Sequence, residues 1–415
     1  MTMPAAKKPL RHLRFSDIRG VAKLTTQATT GVTGIVEGVH RSVLNTMGIP
    51  GGNVPGQTRG ITGLVYKSVN GVTQLVGKGL DTGLAGLRPW LESFEDTGPD
   101  TSQREAVLAA LNGVMGDRLV ENNNPLAIPM SLRCSDQALD WQAPSPIPIP
   151  AASGKVLLLI HGLCMNDLRS HALHRGDAPD HGEALASALD YTPVYLRYNS
   201  GLHTSKNGRE LATRLEQLLT HWPSAVEELA VVAHSMGGLL IRSAVHYARQ
   251  KNMRWPESLK NIVFLGTPHH GAPLERAGNW LDVILGSTPY TRPFTALGRL
   301  RSAGITDLRY GHVLDEDWHG RDRFHREADR RQTLPLPQGV GCHFVAATTS
   351  AGRSIMADHL LGDGLVPLHS ALGHHEDNRR KLQYSKSSQK IIYRMNHMAL
   401  LSSPEVSRQI VQWLR

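Results

Sequence analysis

The chain has little cysteine. Its 415 residues include three, Cys134, Cys164 and Cys342, too few for a disulfide framework and with no Cys-x-x-Cys pair among them, which fits a reducing compartment. Aromatic residues make up 5%. With neither zinc-finger spacing nor an aromatic RNA-binding signature, the sequence gives no reason to expect nucleic-acid binding despite its basic charge. It also lacks an uninterrupted apolar run of about 18 residues or more, which a membrane-spanning helix would need. The opening Met-Thr-Met-Pro-Ala-Ala-Lys-Lys-Pro-Leu-Arg carries positive charge with no apolar run behind it, so no secretory signal is expected. The expectation is a cytoplasmic protein.

What is present is an ordinary soluble composition, 40% hydrophobic and 20% charged. Lys and Arg number 45 against 36 Asp and Glu, a formal charge of +9 at pH 7. The basic residues are spread along the chain and read as a solvated surface with a bias toward anionic membranes. A chain of 415 residues exceeds a typical domain, which predicts one large domain with an accessory segment. The boundary is expected near residue 122, with a helical extension over 1–122 and an α/β catalytic domain over 123–415.

In the extension, Ile18, Val21, Leu24, Ala28, Val32, Ile35, Val36, Val39 and Val43 keep helical spacing. After a Gly/Pro break at 48–56, Ile61, Leu64, Val65, Val69, Val72, Leu75, Val76, Leu80 and Leu84 do so again. The near copies Gly60-Ile-Thr-Gly-Leu-Val and Gly71-Val-Thr-Gln-Leu-Val start eleven residues apart, close to three helical turns. A helical hairpin packed on the catalytic domain or a partner chain is the simpler reading, since an amphipathic helix must bury its stripe somewhere. Peripheral membrane contact through residues 16–87 is the alternative. A third helix is predicted over 102–115, capped by Thr101 or Ser102, with Asn122-Asn-Asn-Pro125 closing the unit. Residues 126–133 read as a strand, and 143–151, with four prolines, as a linker or edge loop.

From Lys155 short apolar strands alternate with helices. Strands are expected at 156–160, 193–198, 229–233, 261–265, 343–347 and 390–393, and helices at 182–189, 208–221, 237–249, 274–285 and 404–414. The succession predicts a mostly parallel, doubly wound sheet, and its fully apolar first strand suits a sheet covered on both faces. The charged, His-rich stretch 287–338 interrupts the pattern and is expected to form a cap insertion. Within it, 315–331 reads as a solvated helix face.

The strongest chemical signal is Ala230-Val-Val-Ala-His-Ser235-Met-Gly-Gly-Leu-Leu-Ile. An apolar strand runs straight into a serine and then into a helix opened by glycines, the setting of a nucleophile elbow. Ala233 stands where that motif usually has its first glycine, the smallest possible departure. Acyl transfer needs two backbone N–H donors for the oxyanion. Met236 after the nucleophile and Leu163 in the loop His161-Gly-Leu-Cys-Met-Asn166 are the candidates. Cys164 reads as an apolar filler rather than a nucleophile. In this arrangement the acid and base follow the serine in that order, which selects Asp363, between two glycines in Gly362-Asp-Gly-Leu-Val-Pro, and His397 in Asn396-His-Met. Asp358 is the reserve for the acid. The pairs His269-His270 and His374-His375 suit a structural or substrate-pocket role better than metal chelation. Neither a metal nor a cofactor is expected.

In order, Ile160-His-Gly, Ala233-His-Ser-Met-Gly-Gly, Gly266-Thr-Pro-His-His-Gly, Gly362-Asp-Gly-Leu-Val-Pro and Asn396-His-Met resemble the bacterial lipase/esterase branch of the α/β-hydrolase superfamily. Within it they look most like the lipases and deacylases related to GPI-inositol deacylase. The resemblance covers about residues 155–415 and implies cofactor-free hydrolysis of a carboxylic ester, with a small acyl ester or lipid as substrate. Leu111-Asn-Gly-Val-Met-Gly-Asp and Asn124-Pro-Leu-Ala-Ile-Pro-Met are similar to a helical extension found on bacterial hydrolases. A thioesterase or amidase would use the same triad. From another class, a membrane-associated scaffold with an inert hydrolase domain is the alternative. Epoxide hydrolases and dehalogenases need a carboxylate where Ser235 stands.

Overall fold

The computed structural model describes residues 20, 102–141, 149, 152–167, 181–272, 301–324, 328–352 and 362–415. The periodic stretches over 16–87 apart from Gly20, the helix expected at 274–285, most of the proline-rich 143–151, residues 287–300 and Asp358 lie outside the described residues.

Short apolar runs closed off by glycine, proline or polar residues become the strands of one sheet. They are β1 (Ser131–Cys134), β2 (Gln137–Ala138), β3 (Lys155–Ile160), β4 (Thr192–Arg197), β5 (Glu228–His234), β6 (Leu259–Leu265), β7 (Gly341–Thr348) and β8 (Gln389–Tyr393). Among the described residues their order is β2-β1-β4-β3-β5-β6-β7-β8. β1 pairs antiparallel with β2 and β4, and every pair from β4 to β8 is parallel. In the central strand β5, every residue from Leu229 to His234 is buried, as both-face coverage of a parallel sheet requires. The strand read at 126–133 pairs only from Ser131 onward. Pro129 has no N–H to give a ladder, and the Ile128 N–H is taken by the Asn112 side chain at 2.9 Å. The hairpin to β2 turns through Ser135 and Asp136, both at positive φ (49° and 63°). That is the left-handed pair a tight hairpin needs, here without the Asn-Gly that usually announces it.

The helices are α1 (Ser102–Glu121), α2 (His181–Leu189), α3 (Thr204–His221), α4 (Met236–Gln250), α5 (Trp255–Ser258), α6 (Ala303–Asp307), α7 (Leu368–Ala371) and α8 (Pro404–Leu414). Side chains alternate across each strand. One sheet face, carrying Leu157, Val232, Val263 and Val345, packs with Leu185 of α2 and Val406, Ile410 and Leu414 of α8. α3 and α4 pack closely together: a Cβ on Gly208 would lie 2.2 Å from Ser243 Oγ, so this crossing admits only glycine there. With strand order, elbow and two-sided helical cover in place, the architecture is the α/β-hydrolase fold.

α1 runs beyond the predicted end at 115, through one non-helical residue, Met115 (φ −143°, ψ 22°). It ends where Asn123 takes φ 48°, with the Asn123 and Asn124 N–H groups donating back to Val120 and Leu119, a left-handed helix stop. Glu105–Arg118 of this helix belongs to the same compact unit as Ile128–Arg415, whereas Leu119–Ala127 falls in another. Part of the segment read as an extension is therefore built into the sheet's own unit. Glu105 pairs with Arg197 of β4 at 2.8 Å, and Arg197 also holds Asp167 at 2.6 Å. Asn199 Nδ2 donates to the Gly116 carbonyl at 3.1 Å.

The reading of 315–331 as a solvated helix face is corrected by the structure. Among its described residues only Asp315–Asp317 forms a short 3-10 turn, and Asp317 is fully buried. One Asp317 oxygen accepts from the N–H groups of Val313 and Leu314, the other from Gln332. Upstream, Asp307 is buried and accepts from the Thr204 N–H at the start of α3. These carboxylates cap backbone instead of facing water, which a count of charges along the chain does not reveal.

Candidate active site

β5 delivers Ser235 to a sharp turn with φ 54° and ψ −125° before α4 begins at Met236. A non-glycine residue in that region is strained and persists only where its surroundings hold it. Here the Ser235 N–H donates to the Leu265 carbonyl at 2.8 Å, and its own carbonyl accepts from the Gly238 N–H at 3.0 Å. The glycines after it are steric requirements. A Cβ on Gly237 would stand 2.8 Å from Ile160, and one on Gly238 would stand 2.0 Å from Thr267 Oγ1. Ala233, in place of the usual glycine, sits fully buried within β5.

The loop leaving β3 comes up against this turn. A Cβ on Gly162 would lie 3.0 Å from the Ser235 Cβ, so the chain before Leu163 passes directly over the serine. Leu163 is buried. The next residue, Cys164, has φ 58° and donates its N–H to Ser200 Oγ at 3.0 Å, while the Tyr198 hydroxyl donates to the His161 carbonyl at 2.9 Å. Cys164 is buried, and its Sγ lies 3.9 Å from the Ala110 carbonyl, a packing position. Met236 opens α4, where the first N–H groups lack intrahelical acceptors and the helix dipole favours negative charge.

The loops after β7 and β8 bring Asp363 and His397 together. His397 Nδ1 donates to Asp363 Oδ2 at 2.6 Å, and both side chains are buried. Asp363 Oδ1 accepts from the Leu365 and Val366 N–H groups at 3.0 and 2.8 Å, and the His397 N–H donates to the Asp363 carbonyl at 3.0 Å. With Nδ1 committed as a donor, a neutral ring leaves its lone pair on Nε2. Nε2 is buried without a hydrogen-bond partner among the described residues. Ser235 Oγ lies beyond hydrogen-bond distance of it in this structure.

Two residues not assigned from sequence shape this pair. Gly266, at φ 57°, is where a Cβ would come within 3.0 Å of His397 Nδ1 and 3.1 Å of Asp363 Oδ2. His234 holds its ring 4.5 Å from that of His397, and its Nε2 lies 3.1 Å from the His397 carbonyl. Burial first, and then the neighbouring His397, push the His234 imidazole well below its ordinary range, so it stays neutral. Gly266 could have been suspected from its place before Thr-Pro; the role of His234 has no local signature. His269 and His270 are engaged by arginines, and among the described residues no three His, Cys, Asp or Glu side chains form a metal-binding group.

A family model described as a domain of unknown function (DUF7379) matches residues 127–307. That span includes the elbow and the loop after β3 but neither Asp363 nor His397. No curated protein matches the chain. Solved structures with similar folds include Bacillus licheniformis lipase BlEst2 in mature form, 18% identical with a TM-score of 0.39, covering 66% of this chain and 95% of that one. Aspergillus fumigatus lipase B is 13% identical with a TM-score of 0.38, covering 64% of this chain and 54% of that one. RedJ-thioesterase from the prodiginine biosynthetic pathway in Streptomyces coelicolor is 16% identical with a TM-score of 0.32, covering 66% of this chain and 97% of that one.

Proposed function

We propose that the chain is a serine hydrolase that cleaves carboxylic esters with Ser235 as nucleophile, His397 as base and Asp363 as its orienting acid. The observation that carries this reading is the buried His397–Asp363 pair at 2.6 Å with Nε2 left unpartnered, its ring 4.5 Å from that of His234, the residue before a serine held at φ 54°. Nε2 takes the Ser235 proton as Oγ attacks the ester carbonyl, and Asp363 stabilises the imidazolium that forms. The N–H groups of Leu163 and Met236 hold the oxyanion of the tetrahedral intermediate. His397 then protonates the departing alkoxide, leaving an acyl-enzyme. Water, deprotonated by His397, attacks the acyl carbon and releases the acid. No cofactor enters these steps.

Replacing Ser235 by Ala is expected to lower turnover of a chromogenic acyl ester by about 10⁴-fold or more and to abolish labelling by a fluorophosphonate probe. Retained turnover would sink the assignment, and an unlabelled wild-type protein would favour the inert-scaffold reading instead. Thioesters and amides are cleaved by the same apparatus, so a panel of matched oxygen esters, thioesters and amides separates the three activities. For residues 16–87 the lipid-surface reading stands as the alternative to packing on the catalytic domain or a partner chain. Deleting residues 1–95 should abolish liposome binding if it is right.

A further inference from the structure

A small pocket that includes none of the triad residues is lined by Arg242, Arg331 and Arg380 together with His269 and His270. Arg242 projects from α4, two turns beyond Ser235, and is buried. One of its terminal nitrogens donates to the Leu334 carbonyl and another lies 3.3 Å from His269 Nδ1. Its Nε–H has no acceptor among the described residues. A guanidinium is a donor throughout, so His269 Nδ1 must be the acceptor. The His269 proton then sits on Nε2, which is also buried and without a partner. Arg331 donates to His270 Nδ1 at 2.7 Å and to the His269 carbonyl at 2.8 Å.

The nearby carboxylates are already used. Asp329 pairs with Arg331 and with Arg380. Both Asp317 oxygens accept backbone N–H groups. Three guanidinium groups thus face two engaged carboxylates, and Arg242 has no carboxylate of its own within ion-pair distance among the described residues. Burial and the Arg331 charge lower the Arg242 guanidinium to about 10, still charged at neutral pH. A buried cation with no carboxylate of its own is costly, and Arg242 Nε and His269 Nε2 are buried donors left without acceptors among the described residues. An anion with several acceptor oxygens would satisfy both the charge and the donors, and arginine's planar fork fits such oxygens two at a time.

We propose that this pocket is a binding site for a phosphate group, separate from the triad and bound by Arg242, Arg331 and Arg380. The test is calorimetric titration of the full-length protein with inorganic phosphate at low ionic strength. Saturable one-to-one binding is expected, weakened about tenfold or more in Arg242→Gln and in Arg380→Gln. Arg242 is buried and also holds the Leu334 carbonyl, so if that variant does not fold, Arg380→Gln decides alone; its side chain is 20% exposed. Absence of saturable heat up to about 10 mM phosphate, or equal binding by wild type and Arg380→Gln, overturns the proposal. Two further arms identify the source of the phosphate. Tighter binding of glycerol 1-phosphate than of phosphatidic-acid vesicles points to a soluble phosphomonoester. Vesicle binding that requires phosphatidic acid and is lost in Arg380→Gln points to a lipid headgroup. Because binding is read without turnover, the outcome is independent of the esterase reading.

Discussion

Acidification should unfold this protein through its histidines well before most carboxylates titrate. His161, His234 and His269 are 7%, 2% and 1% exposed. Burial holds His161 down to about 4. Burial first, and then the neighbouring His397 for one and Arg242 for the other, hold His234 and His269 well below their ordinary range. In the unfolded chain each takes a proton near pH 6.5. Between about pH 6.5 and 4 the unfolded state therefore binds more protons than the folded one, so stability falls as pH falls through that window. At pH 5 each imidazole that cannot protonate costs about 2 kcal/mol relative to pH 8, or about 6 kcal/mol for the three together. A domain's whole stability is about 5–15 kcal/mol. Urea unfolding followed by tryptophan fluorescence at pH 8, 6.5, 5.5 and 5 should show most of the loss below pH 6.5. Replacing His269 by Gln should recover about a third of the loss, after allowance for its effect at pH 8. A midpoint that stays constant from pH 8 to pH 5 would refute the linkage.

Other consequences are local. Gly266→Ala forces a Cβ into left-handed backbone and to within 3.0 Å of His397 Nδ1. It should cost about 1–2 kcal/mol and lower kcat more than it raises KM, because it pushes on the His397–Asp363 pair rather than on the substrate; an unchanged kcat would contradict the placement of that pair. Asp167 is shared by Arg197 and Arg133 at 2.6 and 2.8 Å in a buried network. Asp167→Ala should therefore destabilise the fold by about 3–5 kcal/mol, read as a drop in unfolding midpoint, and a change below about 1 kcal/mol would mean that water reaches the pair.

Much of the scaffold is legible from local pattern alone. Leu229–Ala233 and the glycines after Ser235 specify a buried strand, a sharp turn and a helix because burial and steric room act within a few residues. Pro404 and the spacing of Val406, Ile410 and Leu414 delimit the last helix for the same reason. The order Ser235, Asp363, His397 is also visible along the chain, since each follows a strand of the sheet. Sequence alone does not say that His397 Nδ1 meets Asp363 across 34 residues, or that His234 braces the His397 carbonyl across 163. Nor does it say that Glu105 is wired to β4 across 92 residues, or that Asp317 is buried beneath backbone N–H groups. Local periodicity reports which face of an element is apolar. The partner of a polar side chain depends on how loops distant in sequence converge, and only the packed sheet and its helices determine that.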